Sequence, residues 1–455
     1  MLRLRLILGV LALLATSIAR AQNPILDWNA TMRQVIQADP ATANPGWSTR
    51  SMAMLNAAMY DVYQSFNRTH QPFHYTDMAP DGVNREAALA QVAYRLTLDC
   101  YAQPGLITAA HTAALDAIAD SPEKLAGIAF GNNVALSYMT MRSGDNSDNN
   151  FLWPVNHDPG HWEPDPTRPV EQSAWGPKWG EVTEFVPNPN PYTYVGVPNM
   201  DTPEYKAAFE QVRDKGALTN STRTADEEHI GLFWAYDRPT MGPPGVLFSR
   251  ALEEISNEAG NTEEQTARLF AMASVAMADA AIVAWENKFV ADFWRPVTGI
   301  RRAAEDGNDD TEAVLDWVPL GAPGNDPNIT TDDFTPPFPA WPSGHATMGG
   351  ALFETLRDFY ETDALAFTLI SDELTPGNNT RSFNSFSQAE WENGISRVFL
   401  GVHWEFDSTD GIAIGNQIAD WVAANHFQAV AIPEPTSIAL LAVALLAGGF
   451  WIRRR

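Results

Sequence analysis

Three short runs in the second half of this 455-residue chain collect residue types that can hold a small, highly charged oxyanion. They are Lys288-x6-Arg295-Pro296, Pro342-Ser343-Gly344-His345 and Ser396-Arg397-x5-His403-x3-Asp407. Together they supply three cations, a hydroxyl, a glycine and two imidazoles. A tetrahedral or trigonal oxyanion such as phosphate or vanadate, stripped of water, needs several fixed cations and N–H donors around it. A neutral imidazole nitrogen can bond its central atom as ligand or as nucleophile.

Each run makes its own structural demand. Lys288 and Arg295 are two helical turns apart, which predicts both on one face of a long helix, with Trp285 one turn before Lys288. Pro296 is expected to end that helix and to leave Arg295 in its last turn. Ser343 suits the cap of a new helix, Gly344 lets an anion approach the backbone, and the free N–H groups of a helix start bind oxyanions. Arg397 precedes an apolar run, where a charge must be paired inside the protein. Asp407, four residues after His403, can accept the second ring N–H and fix the tautomer. Singly, the runs also fit a charged surface face, a capped helix with an incidental histidine, and a core histidine with a salt bridge. All three in this order and spacing fit an oxyanion cage.

At this point the chain resembles the superfamily of type-2 phosphatidic acid phosphatases and vanadium-dependent haloperoxidases. The match holds at every specified position over Trp285–Asp407. It is looser over Trp28–Asp61, where Arg50 and Ala57-Ala58-Met59-Tyr60-Asp61 carry it. The resemblance implies that Lys288, Arg295 and Arg397 neutralise the oxyanion, helped by the Ser343 hydroxyl and the Gly344 N–H. It makes His345 the acid–base residue. His403 becomes the axial vanadium ligand of a peroxidase or the phosphoryl-accepting nucleophile of a phosphatase, with Asp407 behind it. Phosphate and vanadate share shape and charge, so phosphate would compete for the site. A third reading keeps the fold as a non-catalytic surface or matrix protein, but no expected functional residue is missing.

Context favours the peroxidase. Phe334-Thr-Pro-Pro-Phe338-Pro-Ala-Trp341-Pro342 and Trp285-x2-Lys288 resemble chloroperoxidase-type sites, which makes Trp285 and Phe338 halide-pocket candidates. A whole helical group before the runs looks more like the haloperoxidases than like shorter secreted acid phosphatases. Lipid phosphatases of the superfamily are compact membrane proteins, and no stretch inside the domain reads as a bilayer span. The implied chemistry is peroxide activation on vanadate. His345 handles the proton, Lys288 polarises the peroxide, and halide is oxidised to hypohalous acid or a bound equivalent that meets a small organic acceptor.

The elements that must position these residues read as helices: Thr49–Ser65, Asn84–Tyr101, Leu106–Asp120, Ser121–Arg142, Thr224–Asp237, Gly245–Asn257, Glu263–Trp294, Ser343–Tyr360, Gln388–Leu400 and Asp407–Asn425. The expected fold is all-α, two helical bundles in one catalytic unit of the vanadium chloroperoxidase and acid phosphatase type. An N-terminal helical half (22–146) would support a C-terminal bundle (204–430) that carries the site. Between them, 147–203 holds eleven prolines and four tryptophans. That composition predicts an ordered excursion lining or covering the site, since regular helix is barred and solvated linkers seldom hold four indoles. The run Asp306-Gly-Asn308-Asp-Asp310 superficially resembles a calcium loop but lacks its glycine and glutamate, and reads as a surface loop.

The ends suggest export. Arg3 and Arg5, an apolar run from Leu6 to Ala15, and Ala19-Arg20-Ala21 read as a signal peptide over 1–21. Pro433-Glu434-Pro435, a short apolar stretch and Arg453-Arg454-Arg455 resemble the PEP-CTERM sorting tail of Gram-negative bacteria over 433–455. The resemblance implies exosortase processing and display at the cell surface or in the extracellular matrix. Removing Met1–Ala21 (net +3) and Pro433–Arg455 (net +2) takes the formal charge from −27 to −32. That balance argues against nucleic acid or anionic membrane as a partner. Cys100 is the single cysteine, so no internal disulfide forms and stability rests on packing or a bound cofactor. Homo-oligomer formation is left open.

Overall fold

Helix starts are written strongly into this chain. Asn23, Asn44, Ser121 and Thr202 each accept a hydrogen bond from a first-turn backbone N–H, and a proline follows each of them at the first helical position. The computed structural model describes residues 23–39, 44–168, 173–236, 241–321 and 335–430. Both proposed targeting segments lie outside these residues.

The first group of helices is α1 (Pro24–Ala38), α2 (Pro45–Phe66), α3 (Arg85–Cys100), α4 (Pro104–Asp116) and α5 (Pro122–Met141). The second begins with α6 (Pro203–Lys215), α7 (Ala225–Phe233), α8 (Pro244–Glu258), α9 (Glu263–Ala291) and α10 (Pro296–Arg301). It ends with α11 (Gly344–Tyr360), α12 (Phe386–Phe399) and α13 (Glu405–Asn425). A small antiparallel hairpin, β1 (Phe367–Ile370) with β2 (Thr380–Phe383), interrupts the all-α pattern and pairs Phe367 with Phe383. Helices α1, α6 and α10 and the hairpin are absent from the sequence expectations.

Helix α9 is the hub. It packs on α2, α11 and α13, and one hydrophobic core joins α1–α5 to α8, α9, α11 and α13, while α6 and α10 pack in a second cluster. The N-terminal half is therefore part of the same hydrophobic interior. Contrary to the sequence reading, α9 is long and apolar enough to cross a bilayer. It is 94% buried over its most apolar window, so here it is the core helix of the fold. Helices α11 and α13 approach so closely that a Cβ on Gly415 would stand 2.2 Å from the Thr347 carbonyl oxygen.

The end of α9 corrects a second expectation. The helix stops at Ala291, and Asp292 turns left-handed at φ 49° while its N–H donates to the Lys288 carbonyl. Arg295 is extended and forms the N-cap of α10. Lys288 and Arg295 thus flank a sharp joint instead of sharing a helix face. A Pro at the first helical position opened a new helix where it had been read as closing the old one.

The described residues of the proline-rich stretch are tied to the helices at several points. Trp162 N–H donates to the Asp292 carbonyl (2.8 Å), and Trp294 N–H donates to Gly160 (3.0 Å), across the α9–α10 joint. Phe185 and Val186 donate their N–H groups to Asp279, in the middle of α9, at 2.7 and 2.8 Å. Asp306 accepts from Asn308 N–H and from the Thr311 hydroxyl, so the acidic run closes on itself as a turn. In the first half, Arg50 pairs with Asp145 at 2.7 Å, and Asp61 accepts from the N–H groups of Phe73, His74 and Tyr75 and from the Tyr138 hydroxyl.

Candidate active site

Lys288 sits in the last turn of α9 and is fully buried. An ammonium has three N–H donors, and here they face the carbonyls of Pro339 (3.0 Å), Ala340 (2.9 Å) and Pro342 (2.5 Å). The nitrogen also stands 5.6 Å from the Trp285 ring and 5.2 Å from the Phe338 ring. In this arrangement the lysine cross-links α9 to the segment leading into α11. Polarising a bound oxygen requires it to release one carbonyl.

Arg295 is held as tightly. Its Nε donates to the Phe338 carbonyl (2.9 Å), and one terminal nitrogen donates to the Val402 carbonyl (2.7 Å) and to His403 Nε2 (3.0 Å). Arg397, in the last turn of α12, is 1% exposed and donates to the Ala235 carbonyl (3.1 Å). Ser343 caps α11 by accepting from Ala346 N–H (3.3 Å), while its own N–H donates to the Asp407 carbonyl (2.9 Å). Gly344 is the first residue of α11, and a Cβ there would meet the Trp285 ring at 2.6 Å.

The two histidines differ in their partners. His403 Nδ1 lies 2.8 Å from Asp407 Oδ2, and the same carboxylate oxygen accepts Trp404 N–H at 3.0 Å. The network therefore assigns the proton to Nδ1 and the lone pair to Nε2, which faces Arg295. Burial, then the charges of Arg295, Lys288 and Arg397, hold the His403 imidazole well below its usual range and keep it neutral. Burial pushes the Asp407 carboxyl up to about 7, against the pull of Lys288 and Arg295. His345, in the first turn of α11, is 5% exposed; the Asn393 side chain faces its ring, and neither ring nitrogen makes a hydrogen bond of ordinary geometry. Burial and the Arg397 charge hold it neutral too, and the Phe248 ring stands against it at 5.4 Å. All three cations act on His403, so the runs converge although four elements carry them.

An aromatic wall adjoins the lysine. Trp285 and Phe338 touch at 4.8 Å between ring centres, and Trp175 from the excursion closes on Trp285 at 5.0 Å. The Trp175 N–H donates to the Pro337 carbonyl (2.8 Å). The structure thus brings together Lys288, Arg295, Ser343, Gly344, His345, Arg397, His403 and Asp407, with Trp285 and Phe338 beside them. Sequence reasoning missed the individual roles of Trp175 and Phe248. The indole-rich excursion pointed toward the first, and nothing in the sequence singled out the second.

Residues 268–431 match the family model of the VCPO second helical-bundle domain. That span runs from within α9 to beyond α13 and contains all three runs. The chain is similar to the vanadium haloperoxidases. Vanadium chloroperoxidase of Curvularia inaequalis is 28% identical over 490 residues, covering 85% of this chain and 79% of that one. The first bacterial vanadium-dependent iodoperoxidase superposes with a TM-score of 0.74 at 22% identity, over 90% of this chain and 98% of its own. An apo bacterial vanadium-dependent chloroperoxidase gives 0.63 at 15% identity, over 84% and 93%. These structural likenesses carry the fold: a helical unit of haloperoxidase type.

The side chains gathered here fit an oxyanion of vanadate's kind. A buried imidazole whose nitrogens make no hydrogen bond of ordinary geometry is costly inside a protein unless a polar guest completes it.

Proposed function

We propose that the protein is a vanadate-dependent haloperoxidase that oxidises halide with hydrogen peroxide. The observation that supports it most is His403: a buried, neutral imidazole whose proton is fixed on Nδ1 by Asp407, leaving Nε2 as a lone pair among three cations. His403 would bind the oxyanion's central atom. Arg295, Arg397 and Lys288 would balance its charge, and the Ser343 hydroxyl and Gly344 N–H would orient it. Vanadate, when bound, supplies a Lewis-acid centre that activates peroxide toward halide.

The chain's own groups do the rest. His345, with the Asn393 side chain against it, stands beside the oxyanion cage and would take or give the proton there. Lys288 holds positive charge against the aromatic wall of Trp285, Phe338 and Trp175. A dry wall beside a cation suits a weakly hydrated halide, and this favours the peroxidase over a phosphatase acting through His403. The acceptor would be a small organic molecule. Export by the 1–21 signal, and exosortase processing of the 433–455 tail to the surface of a Gram-negative cell, complete the proposal.

The test is a titration of purified apo-protein with orthovanadate, followed by peroxide-dependent halogenation of a diketone with chloride, bromide and iodide. Saturable activation supports the proposal. Vanadate that only inhibits hydrolysis of a phosphate ester would hand the site to the phosphatase reading.

A further inference from the structure

We infer that Asp410 is a positioning residue for the oxyanion site. The inference rests on the oxyanion reading above and adds a residue outside the three runs. Asp410 lies on α13, one turn beyond Asp407, and is 2% exposed. Its carboxylate accepts three hydrogen bonds: from Trp341 Nε1 (2.9 Å), Val195 N–H (2.9 Å) and Gly196 N–H (2.8 Å).

The donors come from two irregular segments, the late part of the excursion and the residue before Pro342. Neither has a helix or sheet ladder to fix it. A buried carboxylate is tolerated only with its donors in place, so each partner fixes the others. Trp341 stands between Ala340 and Pro342, and the carbonyls of both hold the Lys288 ammonium. The Tyr194 ring closes the arrangement against Trp341 at 5.1 Å, and its hydroxyl reaches Asn287 Oδ1, next to Lys288, at 3.4 Å. Helix α13 therefore orients the site twice. Asp407 fixes the imidazole directly, and Asp410 fixes the carbonyl cage of the lysine through Trp341.

The test compares Asp410→Ala, Asp410→Asn and Trp341→Phe with Asp61→Ala. Asp61 is a matched control, a buried carboxylate with four donors, all between residues 73 and 138. Orthovanadate affinity is measured by calorimetric titration, with inorganic phosphate in parallel, and hydrogen exchange is followed at 195–196 and 339–345. Asp410→Ala is expected to weaken orthovanadate on the order of 10-fold and to speed exchange in both segments. Trp341→Phe, which drops one donor, gives a smaller loss that is not additive with Asp410→Ala. Asp61→Ala lowers the melting temperature and leaves affinity within about twofold. A folded Asp410→Ala that binds within about twofold of wild type, or an Asp61→Ala that weakens binding equally, overturns the role. If Asp410→Ala does not fold, Asp410→Asn and Trp341→Phe decide by the same criteria. Wild type that binds phosphate and not vanadate overturns the haloperoxidase reading, and the ranking on phosphate still decides Asp410. Wild type that binds neither overturns both.

Discussion

Gly344 and Trp285 are packed so closely that the glycine's missing Cβ would lie 2.6 Å from the indole. The start of α11 and the last turns of α9 are thereby set at backbone-to-ring distance, with Lys288 alongside. Gly344→Ala must push the indole or the helix start away. We expect a stability loss of about 1–3 kcal/mol and a weaker orthovanadate complex, read by thermal melts and titration. Unchanged melting and unchanged binding would show that the indole yields freely.

Lys288 and His345 should separate structure from chemistry. Lys288→Met strands three buried carbonyls and is expected to cost at least about 2 kcal/mol in the absence of any ligand. His345→Ala removes two nitrogens that make no hydrogen bond of ordinary geometry, which offsets part of the lost packing, so its cost should be clearly smaller. Both should abolish halogenation. Chemical denaturation of the apo-proteins measures the difference, and equal losses would contradict this division of roles.

His403→Ala should eliminate orthovanadate binding while the fold persists. Wild type at a hundredfold excess over the dissociation constant should gain about 2.7 kcal/mol from vanadate, and the variant should gain none. Asp407→Asn disturbs the Nδ1 proton and should weaken binding by roughly 10–100-fold. A vanadate-dependent melting shift that survives in His403→Ala would remove this residue from the ligand set.

The aromatic wall should show in halide kinetics. Phe338→Ala is expected to raise the halide KM while leaving orthovanadate affinity closer to wild type, at a stability cost of about 3–5 kcal/mol. A change confined to vanadate affinity would place Phe338 in the core and outside the halide path.

Asp279 gives a pH signature remote from the chemistry. Burial raises its carboxyl from 3.8 to about 7. The folded state thus holds the proton more tightly than the unfolded chain, so the contribution is full below 3.8 and is lost as pH rises through about 7. Relative to Asp279→Asn, wild type should gain stability as pH falls from about 8 to about 5. A difference in urea midpoint that does not vary with pH would refute the shift.

Much of this was legible in the sequence because capping and period are local. Asn84, Ser121, Thr224 and Ser343 marked helix starts to within a residue or two, and the His403–Asp407 pair follows from spacing on a helix start. The joint at Asp292 was not legible. A non-glycine residue in the left-handed region is chosen by packing, and the same Arg-Pro pair can close one helix or open the next. The contacts of Phe248 with His345 and of Asp410 with Val195 link positions far apart in the chain, and no local pattern encodes them. The hairpin at 367–383 was missed because two strands of four residues leave little alternation to read.

The carbonyl cage of Lys288 bears on how such enzymes would decay. A lineage that stopped using peroxide would still tend to keep this lysine, because the interior it stitches together would be less stable without it. His345 holds no such cage together, and drift would erase it sooner. Among relatives of this chain, an intact lysine is therefore a record of ancestry, and an intact His345 is a record of selection for turnover.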